Sequence, residues 1–329
     1  MVSLAGSFDD ALARIAVGAR QELAQRAHKE VRSVLEGSTA LKDWGIDTIL
    51  IGSYARTTSI YPGKDVDVFS KLAKLSTDAS PAEVFKTLSE ALTAHYEERA
   101  EKQRRSVKIA FDDGQFCVDV VPAVSTGIHW AIPNRDPATW SSDGRWIETD
   151  PERLSSLTVQ CNDKLKVAGQ GAYVPTVKLV RQIRECHLGD KGPGGLYFEL
   201  MTYWAFQSGM YGTCFAEILA PTLRSIAGQL SNASSIPLID PALSQPFSPC
   251  PDSGDLEKAA EKFDELAGMA EQALDAEKCP AAALWRRILG KNGRGWCFTL
   301  PDGCDETGKE IGPVVSVRSQ GSSEARGFG

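Results

Sequence analysis

Two aspartates separated by one residue, Asp65 and Asp67, are the first candidates for chemistry in this sequence. They stand in the β-like run Asp65-Val66-Asp67-Val68, and side chains two positions apart on a strand point to the same face. Carboxylates that close repel each other, and burying them without a partner is costly. Mg²⁺ takes one or two carboxylates and completes its coordination with water and phosphate oxygens. The pair therefore predicts a metal site.

A third acid, Asp119, lies in the middle of another β-like run, Phe116 to Val121. An unpaired acid is unfavourable within a strand, so this carboxylate also needs a partner. We expect one site to account for all three acids.

A glycine turn precedes the acid pair. The apolar run Thr48 to Ile51 leads into Gly52 and Ser53. Gly52 can adopt backbone angles that other residues avoid, which lets a ligand approach the main chain. Ser53 adds a hydroxyl and a backbone N–H at the same turn.

The elements that must position these residues are predicted from the apolar pattern. Two strands flank the glycine turn between about 47 and 72, and the runs 106–111 and 116–121 form a hairpin around a turn at 112–115. A further strand is expected at 128–133. Helices are expected at 81–99 and at 8–35, where Ser7 serves as N-cap and Gly37 as stop.

The second half is predicted to be mostly helical. Trp146 to Pro151 resembles the entry to a helix capped by Thr149 or Asp150. The proline-rich stretch 231–253 is predicted as a long surface connection, and the residues after 312 as a mobile tail. Helices are predicted at 174–187, 196–207, 216–226, 256–274 and 281–289.

Composition narrows the classes of function. Of 329 residues, 42% are hydrophobic and 24% charged, which is typical of a globular protein, and the net charge is -7. An acidic chain is unsuited to sequence-independent binding of long nucleic acid. No apolar run approaches the roughly 18 residues of a membrane span. Eight scattered cysteines without a C-x-x-C motif, and a start without a signal peptide, favour reduced thiols and a cytoplasmic location.

The motif Gly52 to Thr57, the Asp65–Asp67 pair and Asp119 resemble the DNA-polymerase-β-like nucleotidyltransferases. More narrowly, the chain resembles the bacterial cGAS/DncV-like nucleotidyltransferases (CD-NTases), relatives of oligoadenylate synthetase. The resemblance covers about residues 8–290, and its specific part is the glycine–serine turn with the three acids. Four secondary features support the narrower family: the long leading helix, Trp146 to Pro151, the helix carrying Lys178, and Ala282 to Gly290.

The resemblance implies an α+β fold. A polymerase-β-like nucleotidyltransferase lobe, made of a mixed sheet with helices, packs against a helical lobe like that of oligoadenylate synthetase, and NTP binds in the cleft between them. On this basis residues 1–150 form the catalytic lobe with its long N-terminal helix. Residues 151–311 form the helical lobe, and residues 312–329 a flexible tail.

The implied reaction is transfer of nucleotidyl groups from NTPs, ending in a cyclic di- or trinucleotide second messenger and pyrophosphate. In the family such messengers act in anti-phage signalling (CBASS). Two Mg²⁺ ions, for which Mn²⁺ can substitute, are the implied cofactors. Asp65 and Asp67 would bridge both ions, and Asp119 would hold the ion at the attacking hydroxyl and accept its proton.

Nucleotide contacts follow from the same resemblance. Ser53 and the Gly52–Ser53 backbone would cradle the β- and γ-phosphates, with Lys178, or Arg181 as an alternate, on the triphosphate. A flat side chain would stack on a base. The full expected set is Gly52, Ser53, Arg56, Lys178, Arg181 and Tyr197.

The chain ends in Arg326-Gly327-Phe328-Gly329. Some CBASS operons encode E1/E2-like enzymes that couple the synthase through its C-terminal residue, and an unhindered Gly329 suits that chemistry. An incidental glycine on a frayed tail is the alternative. A downstream effector, recruited through the cyclic product, is the other implied partner.

Two other functions remain open at this point. One is a template-independent nucleotidyltransferase that modifies a small molecule, an RNA end or a protein; the acidic composition disfavours the RNA-end version. The other is a catalytically inactive module that senses nucleotides, which the presence of all three acids disfavours.

Overall fold

The computed structural model describes residues 4–111, 116–189, 192–248 and 253–311. The expected turn at 112–115, the tail after residue 312 and Gly329 lie outside these ranges.

A seven-stranded mixed sheet forms the first half of the molecule. Its main path runs β1-β2-β5-β4-β3, and β6 joins β5 to β7. β2 and β5 are parallel, and the other pairs are antiparallel. The strands are β1 Ile46–Ile51, β2 Asp65–Ser76, β3 Ala100–Lys102, β4 Val107–Phe111, β5 Phe116–Ser125, β6 Trp130–Pro133 and β7 Trp146–Thr149.

Helices cover one face of this sheet. The apolar side chains of β2, β4 and β5 pack with Val31 and Leu35 of one helix and Leu88 and Leu92 of another. The alternating pattern of each strand supplies the buried face. The helices of this half are α1 Ala5–Ile15, α2 Arg20–Gly37, α3 Thr39–Asp43, α4 Gly52–Ala55 and α5 Pro81–Tyr96.

The second half is a helical lobe with its own apolar core. Pro221 lies inside the helix Phe215–Ser231, and two-residue strands form small hairpins in the connections and after Leu289. The helices are α6 Pro151–Lys164, α7 Tyr173–Leu188, α8 Gly195–Gln207, α9 Phe215–Ser231, α10 Ser253–Asp275 and α11 Lys278–Leu289. The hairpins are β8 Lys166–Val167 with β9 Gln170–Gly171, β10 Ile239–Asp240 with β11 Gln245–Pro246, and β12 Lys291–Asn292 with β13 Gly295–Trp296.

The expected single helix over 8–35 is wrong, because it is broken into α1 and α2. Gly18 has φ +61°, a left-handed conformation that interrupts the helix between them. The two parts bury their apolar stripes in different cores. Phe8 makes edge-to-face contacts with Trp285 and Phe298 of the helical lobe, both at 5.2 Å between ring centroids. Ser7, the expected N-cap, lies buried inside α1.

Two smaller corrections concern the connections. Residues 146–149 form strand β7, and α6 begins only after it, with Asp150 as the cap: its Oδ1 accepts a hydrogen bond from the backbone N–H of Arg153 at 2.8 Å. The 231–253 connection contains the β10–β11 hairpin, which pairs through Ile239 and Pro246.

The expectation that every cysteine is a free thiol is also wrong. Cys279 and Cys304 form a disulfide that ties the segment after α11 back to the start of that helix. The two residues are 25 positions apart, so no local motif marks them as a pair. Among the described residues the free cysteines are Cys117, Cys161, Cys186, Cys214 and Cys297.

Across the described ranges, none of the helices combines the length and the apolar character needed to cross a bilayer.

Candidate active site

The three predicted acids meet on one face of the sheet. β2 and β5 pair in parallel with Asp67 directly opposite Asp119, and with Asp65 opposite Cys117. Residues directly opposite each other on paired strands point to the same face, as do residues two apart on one strand. Asp65, Asp67 and Asp119 therefore share a face, as expected of one site.

The glycine turn presses against this group of acids. β1 ends at Ile51, opposite Asp67, and Gly52 follows with φ +69°. A Cβ placed on Gly52 would stand 2.1 Å from Oδ2 of Asp67, far inside van der Waals contact. Only a glycine lets the main chain approach the carboxylate this closely.

The turn itself is a single short helix, α4, and its shape is fixed by hydrogen bonds. The carbonyl of Ser53 accepts from the backbone N–H groups of Thr58 at 2.8 Å and Ser59 at 3.1 Å. The buried Tyr54 donates its hydroxyl proton to the carbonyl of Gly63 at 2.5 Å. The first N–H groups of a helix have no partner within it, so the start of α4 offers donors to a ligand.

The cations around Asp67 and Asp119 only partly offset the burial of these two carboxylates. Burial raises the pKa of Asp119 to about 6; Lys108 opposes this, and Asp67 and Asp65 add to it. Burial also raises the pKa of Asp67, against the opposing charge of Arg56. Oδ1 of Asp119 is buried without a hydrogen-bond partner among the described residues. Such a carboxylate is stabilised when a cation binds beside it.

The oxygen-only donor set fits a hard cation such as Mg²⁺. As the side chains stand, however, no group of three or more His, Cys, Asp or Glu residues in the described ranges converges tightly enough to hold a metal ion. Oδ1 of Asp65 instead contacts Nζ of Lys108 at 3.2 Å. Asp65 is exposed, so its side chain is free to turn towards its neighbours on the shared face.

Lys108 was missing from the residues predicted from sequence. It lies on β4 directly opposite Asp119 on β5, with its ammonium beside Asp65. A signal for it existed: a hairpin with a four-residue turn pairs Phe111 with Phe116, which places Lys108 opposite Asp119.

Arg56 does not extend into open space towards a ligand. Only 6% of it is exposed, and it forms a bidentate pair with Glu199, Nε to Oε1 at 2.6 Å and Nη2 to Oε2 at 3.2 Å. Glu199 on α8 was also missed, because α8 reads as a buried apolar helix. The sequence did contain an indication of Glu199, because a carboxylate in a buried apolar helix requires a partner.

Lys178 and Arg181 lie one turn apart on α7, on the same side of the helix. Lys178 is half-buried and makes no hydrogen bond or ion pair with another described residue; burial lowers its pKa. Nη1 of Arg181 stands 3.6 Å from Oε2 of Glu199, and its charge acts on Asp67. Arg181 thus lies on the side of the helical lobe that faces Asp67, and Lys178 lies one turn before it on the same helix.

A cavity of about 1460 Å³ is lined by residues of both lobes, but the three acids and Ser53 are not among its lining residues. Arg105, whose charge acts on Asp67, lies at its wall. Tyr197, the expected base-stacking residue, lines it too, but is 3% exposed and stacks on Phe247 with ring centroids 6.3 Å apart. Its ring is therefore already engaged, and Phe247 forms the more accessible side of the stack.

Comparison with known proteins agrees with this geometry. Residues 2–162 match the family described as the Second Messenger Oligonucleotide or Dinucleotide Synthetase domain. A cyclic AMP-AMP-AMP synthase from Acinetobacter sp. is 28% identical over 280 residues, 80% of this chain and 77% of that protein.

Solved structures show the same fold at low sequence identity. CdnC from E. coli MS115-1, solved with ATP, is 16% identical with a TM-score of 0.69, over 90% of this chain and 98% of that one. CdnG, a CD-NTase from Bradyrhizobium diazoefficiens solved with GTP, is 15% identical with a TM-score of 0.68, over 87% and 97%. The α+β fold expected from the resemblance is confirmed. The first half of the chain thus matches a second-messenger synthetase family, and the chain as a whole is similar to the bacterial CD-NTases, which are nucleotidyltransferases.

Proposed function

We propose that this protein is a cyclic-oligonucleotide synthase that joins NTPs into a cyclic di- or trinucleotide and releases pyrophosphate. The observation that carries the proposal is the set of three carboxylates on one sheet face, directly beside the Gly52–Ser53 turn. ATP is the first substrate to test, because the Acinetobacter relative is a cyclic AMP-AMP-AMP synthase and CdnC was solved with ATP.

The acids would hold the metal. Asp65, Asp67 and Asp119 supply only oxygen ligands, and two Mg²⁺ ions bound there would polarise the reacting phosphate and steady the leaving pyrophosphate. Asp119 would also accept the proton of the attacking 2′- or 3′-hydroxyl.

The remaining groups would bind the triphosphate. The hydroxyl and backbone N–H of Ser53 would donate to the β- and γ-phosphates at the start of α4. Lys178 has an ammonium that no described residue neutralises, so it is available to a phosphate oxygen. Arg181 would add positive charge from one turn further along α7. Arg56 would support the turn from behind, since its guanidinium is buried.

We further propose a cytoplasmic role in CBASS, in which an effector responds to the cyclic product. E. coli CdnC has been solved in complex with a HORMA protein. For this chain the proposed protein partner is an E1/E2-like enzyme that conjugates Gly329. Deleting Gly329 in cells that contain the operon should abolish a higher-mass conjugate; an unchanged conjugate would refute that link.

Product analysis tests the main proposal. The purified protein is incubated with the four NTPs and Mg²⁺ or Mn²⁺, treated with phosphatase and examined by mass spectrometry. A phosphatase-resistant cyclic product supports a cyclic-oligonucleotide synthase. Pyrophosphate release without such a product supports the template-independent transferase instead. The double variant with Asp65→Asn and Asp67→Asn should fold but form no cyclic product and release no pyrophosphate. Retained activity would contradict the role assigned to these two acids.

A further inference from the structure

A buried carboxylate in the helical lobe reaches across to the glycine turn of the other lobe. Glu199 on α8 is 1% exposed. Its carboxylate accepts hydrogen bonds from the guanidinium of Arg56, and its Oε2 accepts one from the hydroxyl of Thr58 at 3.1 Å. Arg56 and Thr58 immediately follow α4, the helix that contains Ser53.

The connection from Glu199 to Ser53 is short and continuous. Thr58 donates its side-chain proton to Glu199 and its backbone N–H to the carbonyl of Ser53, at 2.8 Å. Arg56 likewise donates its backbone N–H to the carbonyl of Gly52 at 3.3 Å. Arg56 and Thr58 thus bond to the turn through their backbone N–H groups and to Glu199 through their side chains. A movement of Glu199 would therefore shift the turn.

Burying the Arg56–Glu199 ion pair costs desolvation free energy that the attraction between the two charges does not readily offset. Removing two charges from water is expensive, and apolar residues of similar volume often stabilise a protein equally well. Burial raises the pKa of Glu199, but Arg56 and Arg181 outweigh it and lower the pKa, so the carboxylate stays ionised. What the ionic pair adds over apolar packing is fixed geometry, because a bidentate pair allows few orientations.

We propose that Glu199 is the positioning residue of the triphosphate site: it fixes the Gly52–Ser53 turn, through Arg56 and Thr58, in the shape that binds the β- and γ-phosphates of the donor nucleotide. This inference rests on the proposed function. It assigns to the helical lobe a part in phosphate binding that requires no contact between Glu199 and the nucleotide.

The test separates phosphate binding from general stability. Isothermal titration calorimetry with Mg²⁺ compares the α,β-methylene analogue of ATP, which cannot transfer its nucleotidyl group, with AMP, which lacks the two outer phosphates. In Glu199→Gln we expect affinity for the triphosphate to fall by about ten-fold, while AMP affinity changes by less than about two-fold. Glu199→Asp, which keeps the charge, should recover part of the loss.

A matched control is Glu271→Gln. It breaks a bidentate pair with Arg224, at 2.7 and 2.8 Å, on α9 and α10. It should leave triphosphate binding unchanged. Should Glu199→Gln fail to fold, the neutral pair Arg56→Gln with Glu199→Gln takes its place, with the same selective loss expected.

Equal loss for both nucleotides, or no loss, would overturn the positioning role while leaving the proposed function intact. A wild-type protein that binds the triphosphate no better than AMP would instead overturn the proposed function, and this inference with it.

Discussion

At the scale of single residues, the site combines acids that need a cation with a lysine that partly supplies one. Asp67 and Asp119 stand side by side on parallel strands, and both have raised pKa values. Lys108 neutralises Asp65 but leaves Oδ1 of Asp119 without a hydrogen-bond partner. The metal-free protein therefore contains a local instability that metal binding would relieve.

Replacing Asp119 with Asn should separate stability from activity. Because the pKa of Asp119 in the folded protein, about 6, lies above its ordinary value of 3.8, the carboxylate destabilises the fold as pH rises through 6. In EDTA at pH 7.5 the variant should therefore melt at a higher temperature than wild type. Its turnover should fall by roughly 10²–10⁴-fold, as expected for loss of a proton acceptor.

The pH dependence provides the control for that variant. In EDTA the wild-type melting temperature should rise as pH falls from 7.5 towards 5, and the Asp119→Asn variant should show less of this rise. A variant that melts below wild type throughout this range would contradict the assignment of Asp119 as an uncompensated charge.

Lys108→Met should lower the stability of the metal-free protein but strengthen its binding of metal. Without the ammonium, the three acids repel one another, and in EDTA the free energy of unfolding should decrease by about 1 kcal/mol. Mn²⁺ should bind more tightly, because no resident cation competes for Asp65; electron paramagnetic resonance of free Mn²⁺ measures this. Lys86→Met, which breaks an exposed pair with Glu90, is the control and should leave Mn²⁺ affinity unchanged. Weaker Mn²⁺ binding in Lys108→Met would show that the lysine supports the metal instead.

At the scale of elements, the site depends on how closely α4 approaches β2. The short helix begins at Gly52, where a left-handed φ and contact with Asp67 both exclude a side chain. The other end of the turn is fastened by Thr58 and Ser59 to Ser53. The strand pairing and these bonds together fix the distance between the expected phosphate site and the acids.

Gly52→Ala should therefore reduce turnover by about 100-fold, since a displacement on the order of 1 Å in an active site has that effect. Positive φ in a non-glycine residue adds about 1–3 kcal/mol of strain, so thermal stability should fall as well. Gly268→Ala is the matched control: Gly268 lies inside α10, and beyond the helix's own backbone nothing lies within 4 Å of an added Cβ, so the change should stabilise the protein. Turnover near the wild-type value in Gly52→Ala would show that the approach to Asp67 is not required.

At the scale of the whole molecule, the boundary between the halves does not coincide with the chain order. The family match covers residues 2–162. Helix α1 lies at the start of this range, yet it packs into the core of the helical lobe. The Arg56–Glu199 pair joins the lobes a second time. Each half thus buries residues that belong to the other.

A fragment covering residues 1–164 should consequently not fold as a stable unit. It would expose the apolar face of α1, including Phe8 and Ile15, and would leave Arg56 without Glu199. Calorimetry of the full chain should show one thermal unfolding transition. Circular dichroism of the fragment should show no cooperative transition. A fragment that unfolds cooperatively near the melting temperature of the full chain would show that the lobes are independent.

The sequence alone was enough to predict that the three acids and the glycine–serine turn lie close together. Strand alternation and the i, i+2 spacing place Asp65 and Asp67 on one face, and an unpaired acid in the middle of a second strand indicates Asp119 as the third member. These signals are local, so they survive without knowledge of the tertiary structure. The length and amphipathic character of most helices were predictable for the same reason.

What only the tertiary structure decided depends on contacts between residues distant in the chain. Glu199 lies 143 residues after Arg56, and no periodicity links them. The same holds for the Cys279–Cys304 disulfide and for the break that sends α1 and α2 into separate cores. A pattern of apolar residues shows that a face is buried, but which surface buries it is settled only when the lobes pack together.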